Sequence, residues 1–337
     1  MSSSVAILSP EVSLDAITWR GSGLVRPECV LATAGGDLYT ADWRGGVAHL
    51  RPDGTQALYA NSAHLPSTAG RPARPNGIAL RANGNFLFAD LGEDFGGVFE
   101  LTRSGEVREI LTRVDGEDLP PSNFVTEDAE GRLWLTVSTR LQPRSLAYNN
   151  RVAAGFIVLM DAKGARIVAD GLGFTNEALV SPDGRWLYVN ETFHKKMLRY
   201  PLRADGSLGA KETVTTFGRG AFPDGFAFDS AGCPWVACIV GNQLLRVLPD
   251  GSQQTVLEDG DPEYVRWVED AYAASALGRV HMDRPHTSTL KNISSIAFGG
   301  SDLRTVYLGC LVGDAIAGFR LPDAVELSGH PPVHWRY

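Results

Sequence analysis

Five residues with oxygen-bearing side chains, Glu28, Asn76, Asn123, Asn176 and Asp224, stand at matching places in the chain, each opening a short apolar run. Two carboxylates and two or three amide oxygens brought to one point form a hard-oxygen site, which suits calcium, magnesium or manganese. The two negative charges would neutralise one divalent ion. Any one Asn or Asp at a strand start serves a turn. Five in register, including a Glu that no turn requires, point instead to a shared site. The set excludes a thiolate-rich centre. It puts calcium first, with manganese, magnesium, zinc or ferrous iron as the other ions it could hold. The four cysteines take no part: Cys29 and Cys310 lie within apolar strands, and Cys233 and Cys238 sit on one strand pointing to opposite faces, so they cannot pair.

The elements that must position these residues repeat. Phe222 to Asp229, Cys233 to Ala237 and Leu244 to Leu248 form three apolar runs with turns between them, one antiparallel sheet unit. The core of its second strand recurs at Leu38-Tyr39, Leu87-Phe88, Leu133-Trp134, Leu187-Tyr188, Trp235-Val236 and Val306-Tyr307, each after a Gly, Asn or Asp turn. The period is about 46 to 54 residues, a propeller blade spacing. The fold class expected is therefore all-β: a single six-bladed β-propeller over residues 1–337. The last interval is longer, and residues 259–290 account for it. There Asp261 caps, Pro262 and Glu263 suit a first turn, and Val265, Val268 and Tyr272 recur at helical spacing, which predicts one helical insertion before the last blade. A strand at residues 5–8 or 16–19 is expected to close the ring by completing that blade.

Strand alternation decides the geography. Inner strands begin on the face that also carries the loops between second and third strands, so residues 61–75, 140–153, 190–195 and the insertion crowd one side of the disc. The five oxygen-bearing residues start their strands there and converge on the axis, with the insertion as a lid. Asn76, Phe124, Tyr148, Glu177, Phe193 and Trp267 are the expected substrate contacts, in a mostly apolar wall.

A net charge of −8 without a basic patch argues against nucleic acid or an anionic membrane as partner. No apolar run exceeds strand length, and the first residues lack the pattern of a secretory signal, so a cytoplasmic location is expected, as a monomer or small homo-oligomer. Neither a Gly-rich phosphate loop nor a Gly-x-Ser-x-Gly elbow competes for the chemistry.

Arg26-Pro27-Glu28, Pro121-Ser122-Asn123, Phe174-Thr175-Asn176 followed by Ser181-Pro182-Asp183-Gly184, and Phe222-Pro223-Asp224-Gly225 resemble the family that groups senescence marker protein 30 with gluconolactonases and luciferin-regenerating enzyme. The resemblance covers nearly the whole chain. It implies a divalent metal in the channel of a six-bladed propeller, held by Glu28, Asn123, Asn176 and Asp224, with Asn76 outside the ligand set. Cys29, Phe124 and Glu177 follow the ligands where the family commonly has Gly or Asp, and Pro121 replaces the Arg of sugar-lactone members. The reaction implied is hydrolysis of a cyclic ester by water, the metal polarising the lactone carbonyl. Asp224 is the first candidate for the base, and His194 the second, with His281 and His286 able to reach over the channel from the insertion. The substrate expected is a small lactone with an apolar or aromatic portion. Two other readings stand beside it: a binding propeller braced by its metal, and an organophosphate or aryl-ester hydrolase on the same site.

Overall fold

A computed structural model describes residues 11–60, 71–284, 288–323, 325–334 and 336. Six four-stranded antiparallel sheets follow one another around an axis. From the innermost strand outwards, the first blade is Val30–Ala32, Leu38–Asp42, Gly46–Leu50 and Gln56–Ala60, and the fifth is Ala221–Phe228, Pro234–Val240, Gln243–Val247 and Gln253–Glu258. The six inner strands touch in sequence and the sixth, Ile293–Gly299, touches the first, so the ring is closed. The last blade is a composite: Thr18–Arg20 pairs antiparallel with Ile316–Gly318 of its third strand and supplies the outer edge. This is the closing strand expected at residues 16–19, displaced by two residues; the alternative at 5–8 lies outside the described residues.

A blade lies between two neighbours, so its inner strands lose solvent on both faces while the outermost keeps one. Leu38–Asp42, Phe86–Asp90 and Leu133–Val137 are buried throughout, whereas Gln56–Ala60 and Val107–Leu111 are largely half-buried or exposed. That is why the second strands read as unbroken apolar runs rather than as alternations. The blades pack through aromatic and aliphatic layers, such as Trp134 with Leu187 and Tyr200, and Trp235 with Phe298 and Phe319. Both tryptophans are fully buried, and each indole N–H donates to an Asp six residues earlier, Trp134 to Asp128 at 2.7 Å and Trp235 to Asp229 at 3.0 Å. The turns between first and second strands need left-handed backbone, and Gly36, Gly84, Gly131, Gly184 and Gly232 supply it with φ between 71 and 86°.

The insertion before the last blade contains helix α1 (Pro262–Ala273), with Asp261 accepting from the backbone N–H groups of Glu263 and Tyr264. A second, one-turn helix, α2 (Arg279–Met282), follows it. The sequence shows no period for so short an element. Among the described residues, no helix is long and apolar enough to cross a membrane.

Candidate metal and active centre

The oxygen-bearing residues lie at or just before the starts of the inner strands, and four of those strands are irregular there. Register shifts fall between Pro75 and Ile78, Thr175 and Ala178, Pro223 and Phe226, and Ile293 and Ser295, which bracket Asn76, Asn176, Asp224 and Ser294. A bulge at the end of a strand re-aims a side chain away from the sheet face. In this propeller the bulges recur at the same blade position, around the axis.

Glu28, Asn123, Asn176 and Asp224 line one cavity of about 50 Å³, together with Arg26, Arg144, Tyr148, Phe174, Thr192, Phe193, Met282 and Asp283. A chain of hydrogen bonds joins them. Asn76 Nδ2 donates to the Asn123 carbonyl at 3.0 Å, Asn123 Nδ2 to Asn176 Oδ1 at 2.7 Å, and Asn176 Nδ2 to Thr192 Oγ1 at 2.9 Å. From the other side, Ser294 Oγ donates to the Glu28 carbonyl at 2.8 Å, while Arg26 Nε holds Glu28 Oε2 at 2.9 Å. Asp224 is buried and, among the described residues, takes part in no ion pair. Burial, and then the charges of Glu28 and Glu177, push its carboxyl well above the usual carboxylate range.

A hard divalent cation fits this donor set. The cavity gathers two carboxylates and two amide oxygens, and the Asp224 charge lacks the counter-ion that burial demands. Among the described residues, no three His, Cys, Asp or Glu side chains are placed to hold a metal ion, so a cation here depends on the amides.

The insertion reaches the same cavity through Met282 and Asp283. Arg26, with φ of 53°, forks between Glu28 and Asp283 Oδ1, the latter at 2.9 Å, and lies over the Trp43 ring. Burial would lower the Arg26 guanidinium, and the two carboxylates more than reverse this. Arg279 Nε binds Asp283 Oδ2 at 2.7 Å. Arg26 and Asp283 are thus an ionic latch between the insertion and a candidate ligand.

The other expected site residues fall into different places. Tyr148 and Phe193 line the cavity and stack on each other, ring centroids 4.6 Å apart. Asn76 sits one hydrogen bond behind Asn123, its own Oδ1 buried without a partner. Trp267 stacks on His281 at 4.2 Å within the insertion and does not line the cavity, because it braces α2 against α1. His194 is turned away. Its ring packs against Gly173 and its Nδ1 lies 3.6 Å from Glu191, so it does not line the cavity. His281 is tied to Gly278, and His286 lies outside the described residues.

Phe124 and Glu177 belong to the far side of the ligand layer. They line a larger, mainly apolar chamber of about 280 Å³ on the axis, bounded by Cys29, Ile78, Phe226 and the tail residues 330–334. The unusual neighbours of the candidate ligands thereby find a packing role. A Cβ on Gly77 would stand 2.5 Å from Phe124 Cα, and one on Gly225 2.6 Å from Glu177 Oε1. Bulky residues of blades three and four close the channel over the glycines of blades two and five. Glu177 Oε2 accepts from the Phe226 N–H at 3.1 Å, and burial raises its carboxyl to about 8.

Sequence reasoning missed Arg26, Arg144, Thr192 and Asp283. Arg144 is one of three arginines in the loop on the functional face, and nothing in the linear order singles it out or connects Asp283 to Arg26.

Residues 27–259 match the family model described as the SMP-30/gluconolactonase/LRE-like region. The chain is 31% identical over 277 residues to a 6-deoxy-6-sulfogluconolactonase of Pseudomonas putida, covering 80% of this chain and 78% of that one. It is 27% identical over 182 residues to regucalcin of Xenopus laevis, covering 52% and 58%. Among solved structures, a gluconolactonase from Xanthomonas campestris superposes with a TM-score of 0.66 at 19% identity, over 91% of this chain and 89% of that one. A calcium-binding regucalcin from Agrobacterium tumefaciens does so with a TM-score of 0.62 at 17% identity, over 95% and 98%. At such identities these two superpositions carry the fold alone. Together with the extent of the family match, the closed ring of six blades places the conclusion beyond the fold: the chain belongs to the SMP-30/gluconolactonase/LRE-like family.

Proposed function

We propose that this protein is a divalent-cation-dependent lactonase, with Glu28, Asn123, Asn176 and Asp224 as the cation's protein ligands and calcium as the ion. The observation that carries the reading is the meeting of these four side chains at one cavity where the Asp224 carboxylate is buried without an ion pair. The sulfogluconolactonase among its relatives supports the reaction class. A bound cation would supply a Lewis acid for the lactone carbonyl and the developing oxyanion. The protein's own groups do the rest. Asp224, with one oxygen for the cation and the other free to face water, accepts the proton of the attacking water. Thr192 and Asn123 fix the amide plane of Asn176. Tyr148, Phe174 and Phe193 form a wall on one side of the cavity, with Leu91, Ile239 and Leu311 adding apolar surface, which supports a lactone bearing an apolar or aromatic portion.

Metal analysis of the purified protein, with turnover of a panel of lactones, aryl esters and phosphotriesters, tests this. The expected result is about one equivalent of calcium, hydrolysis of an alkyl- or aryl-bearing lactone ahead of gluconolactone, and loss of turnover on chelation. Stoichiometric metal with no turnover on any compound would make the propeller a binding module instead. Preferential attack on phosphotriesters would move it to another hydrolase class.

A further inference from the structure

The charges around the cavity do not all find partners within the protein. Its ionisable lining comprises Arg26, Arg144 and Arg279 against Glu28, Asp224 and Asp283. Arg26 is paired with Glu28 and Asp283, and Arg279 with Asp283. Asp224 is left for the cation.

Among the described residues, Arg144 has no carboxylate partner. Its Nη2 donates to two neutral oxygens, Asn123 Oδ1 at 3.2 Å and Ser138 Oγ at 2.9 Å, and its guanidinium lies over the Phe174 ring. Its Nε is shut off from solvent and has no acceptor. The contrast with Arg140, four residues earlier on the same loop, is direct. Arg140 grips Asp170 with two bonds, of 2.7 and 2.9 Å, although both residues are exposed. A guanidinium is a rigid fork made for planar oxyanions, and burying one without such a partner is costly unless a ligand provides it. The lining residues cancel in charge, three positive against three negative. A dication would leave the cavity with a net positive charge, which an anionic guest lowers.

Resting on the lactonase reading above, we propose that Arg144 is the seat for an oxyanion substituent of the substrate, a carboxylate, sulfonate or phosphate carried by the lactone beside its apolar portion. Guanidinium recognition replaces what Pro121 cannot offer, and it comes from a different loop of the same blade. Arg144 then selects among lactones by charge, while Asn123, which it touches, serves the cation.

The γ-lactones of gluconic and glucaric acid test this, since they differ only in a terminal carboxylate replacing a hydroxymethyl group. The full chain loaded with calcium should favour the glucaric lactone by about tenfold or more in kcat/KM, and Arg144→Gln should cut that preference about tenfold or more, chiefly through KM. Arg144→Lys, which keeps the charge but loses the fork, should restore part of it. An unchanged ratio in Arg144→Gln, with both substrates slowed alike, would overturn the proposal and leave Arg144 as a support for Asn123. Inhibition by gluconate that depends on Arg144, without discrimination between the lactones, would also overturn it, because the anion would then be the carboxylate made by ring opening. Calorimetric titration of the calcium-loaded protein with inorganic sulfate gives a readout free of turnover. Binding weakened about tenfold in Arg144→Gln supports the seat even if no lactone is hydrolysed, a result that would remove only the lactonase reading. Equal binding by both proteins removes the seat.

Discussion

The two ends of the propeller channel are built from consecutive residues of the same strands, yet they hold buried carboxylates in opposite ways. On the loop-rich face, Glu28, Asn123, Asn176 and Asp224 enclose about 50 Å³ among arginines, carboxylates and amides. One or two residues further along, Cys29, Phe124, Glu177 and Phe226 border about 280 Å³ of mainly apolar space. Burying a charge requires a counter-ion or a proton. Above, Glu28 is paired with Arg26, and Asp224 is the carboxylate that the proposed cation would neutralise; below, Glu177, raised to about 8, keeps its proton at neutral pH. The ends also close differently. An Arg26–Asp283 ion pair joins the insertion to the upper cavity, while residues 330–334, with two prolines and Val333, cover the lower one.

The largest effect should come from emptying the upper end of its charge. Asp224→Ala and Glu28→Ala should each lose bound metal and lower turnover at least about a thousandfold, with far-ultraviolet circular dichroism still that of a β protein. Asn123→Ala and Asn176→Ala should weaken metal less, since a neutral amide oxygen contributes less than a carboxylate. Stoichiometric metal and full turnover in Glu28→Ala would dissolve the distinction between the two ends.

The septum between the ends is the next place to strike. Gly77→Ala would drive a methyl group against the Phe124 backbone, where neither strand can yield. We expect a loss of about 1–3 kcal/mol in urea unfolding. The same substitution combined with Phe124→Ala should not recover it, because the contact is with Cα and not only with the ring.

Asp283→Asn loosens the latch without touching the candidate ligands. Its effect should be a few-fold rise in KM, about 0.5–1 kcal/mol, with metal content unchanged. Salt should produce part of the same rise in the unmodified protein, because the Asp283 side chain is 33% exposed. Equal salt responses from wild type and Asp283→Asn would show that the ion pair does not govern entry.

The smallest effect concerns the lower end. Burial pushes His334 down to about 4, against 6.5 for a free imidazole. Between these values the unfolded or undocked tail binds more protons than the docked one, so the tail's stability is complete above about pH 6.5 and is lost as pH falls towards 4. Amide exchange of residues 325–334 should therefore accelerate in that window. His334→Phe should abolish the dependence, and an unaltered profile in that variant would place the sensitivity elsewhere.

Much of this was legible along the chain, and the reasons are physical. Second strands sandwiched between blades must be apolar on both faces, so Leu38-Tyr39 and its five counterparts announce the repeat without an alignment. Helix α1 was legible because Asp261, Pro262 and the spacing of Val265, Val268 and Tyr272 are local signals. Asn123 and Asp224 were legible as residues that meet at one cavity because position within a repeat encodes distance from the axis. Rotation about that axis is not encoded. Phe124, Glu177 and His194 adjoin site residues in sequence but point down the channel or outward between blades.

What the sequence determined by itself was thus the number of blades, the face bearing the long loops and the residues that open each inner strand, because periodicity and turn chemistry act over a few residues. Only the tertiary structure decided which of two consecutive side chains enters which chamber, since bulges and the Gly77–Phe124 and Gly225–Glu177 contacts arise between blades. It also decided the electrostatics. Arg26 meets Asp283 across 257 positions of sequence, and Arg144 lacks a carboxylate only because the folded loop sets it beside Asn123 and Ser138. Charge pairing depends on distance in space, and that distance exists only once the ring has closed.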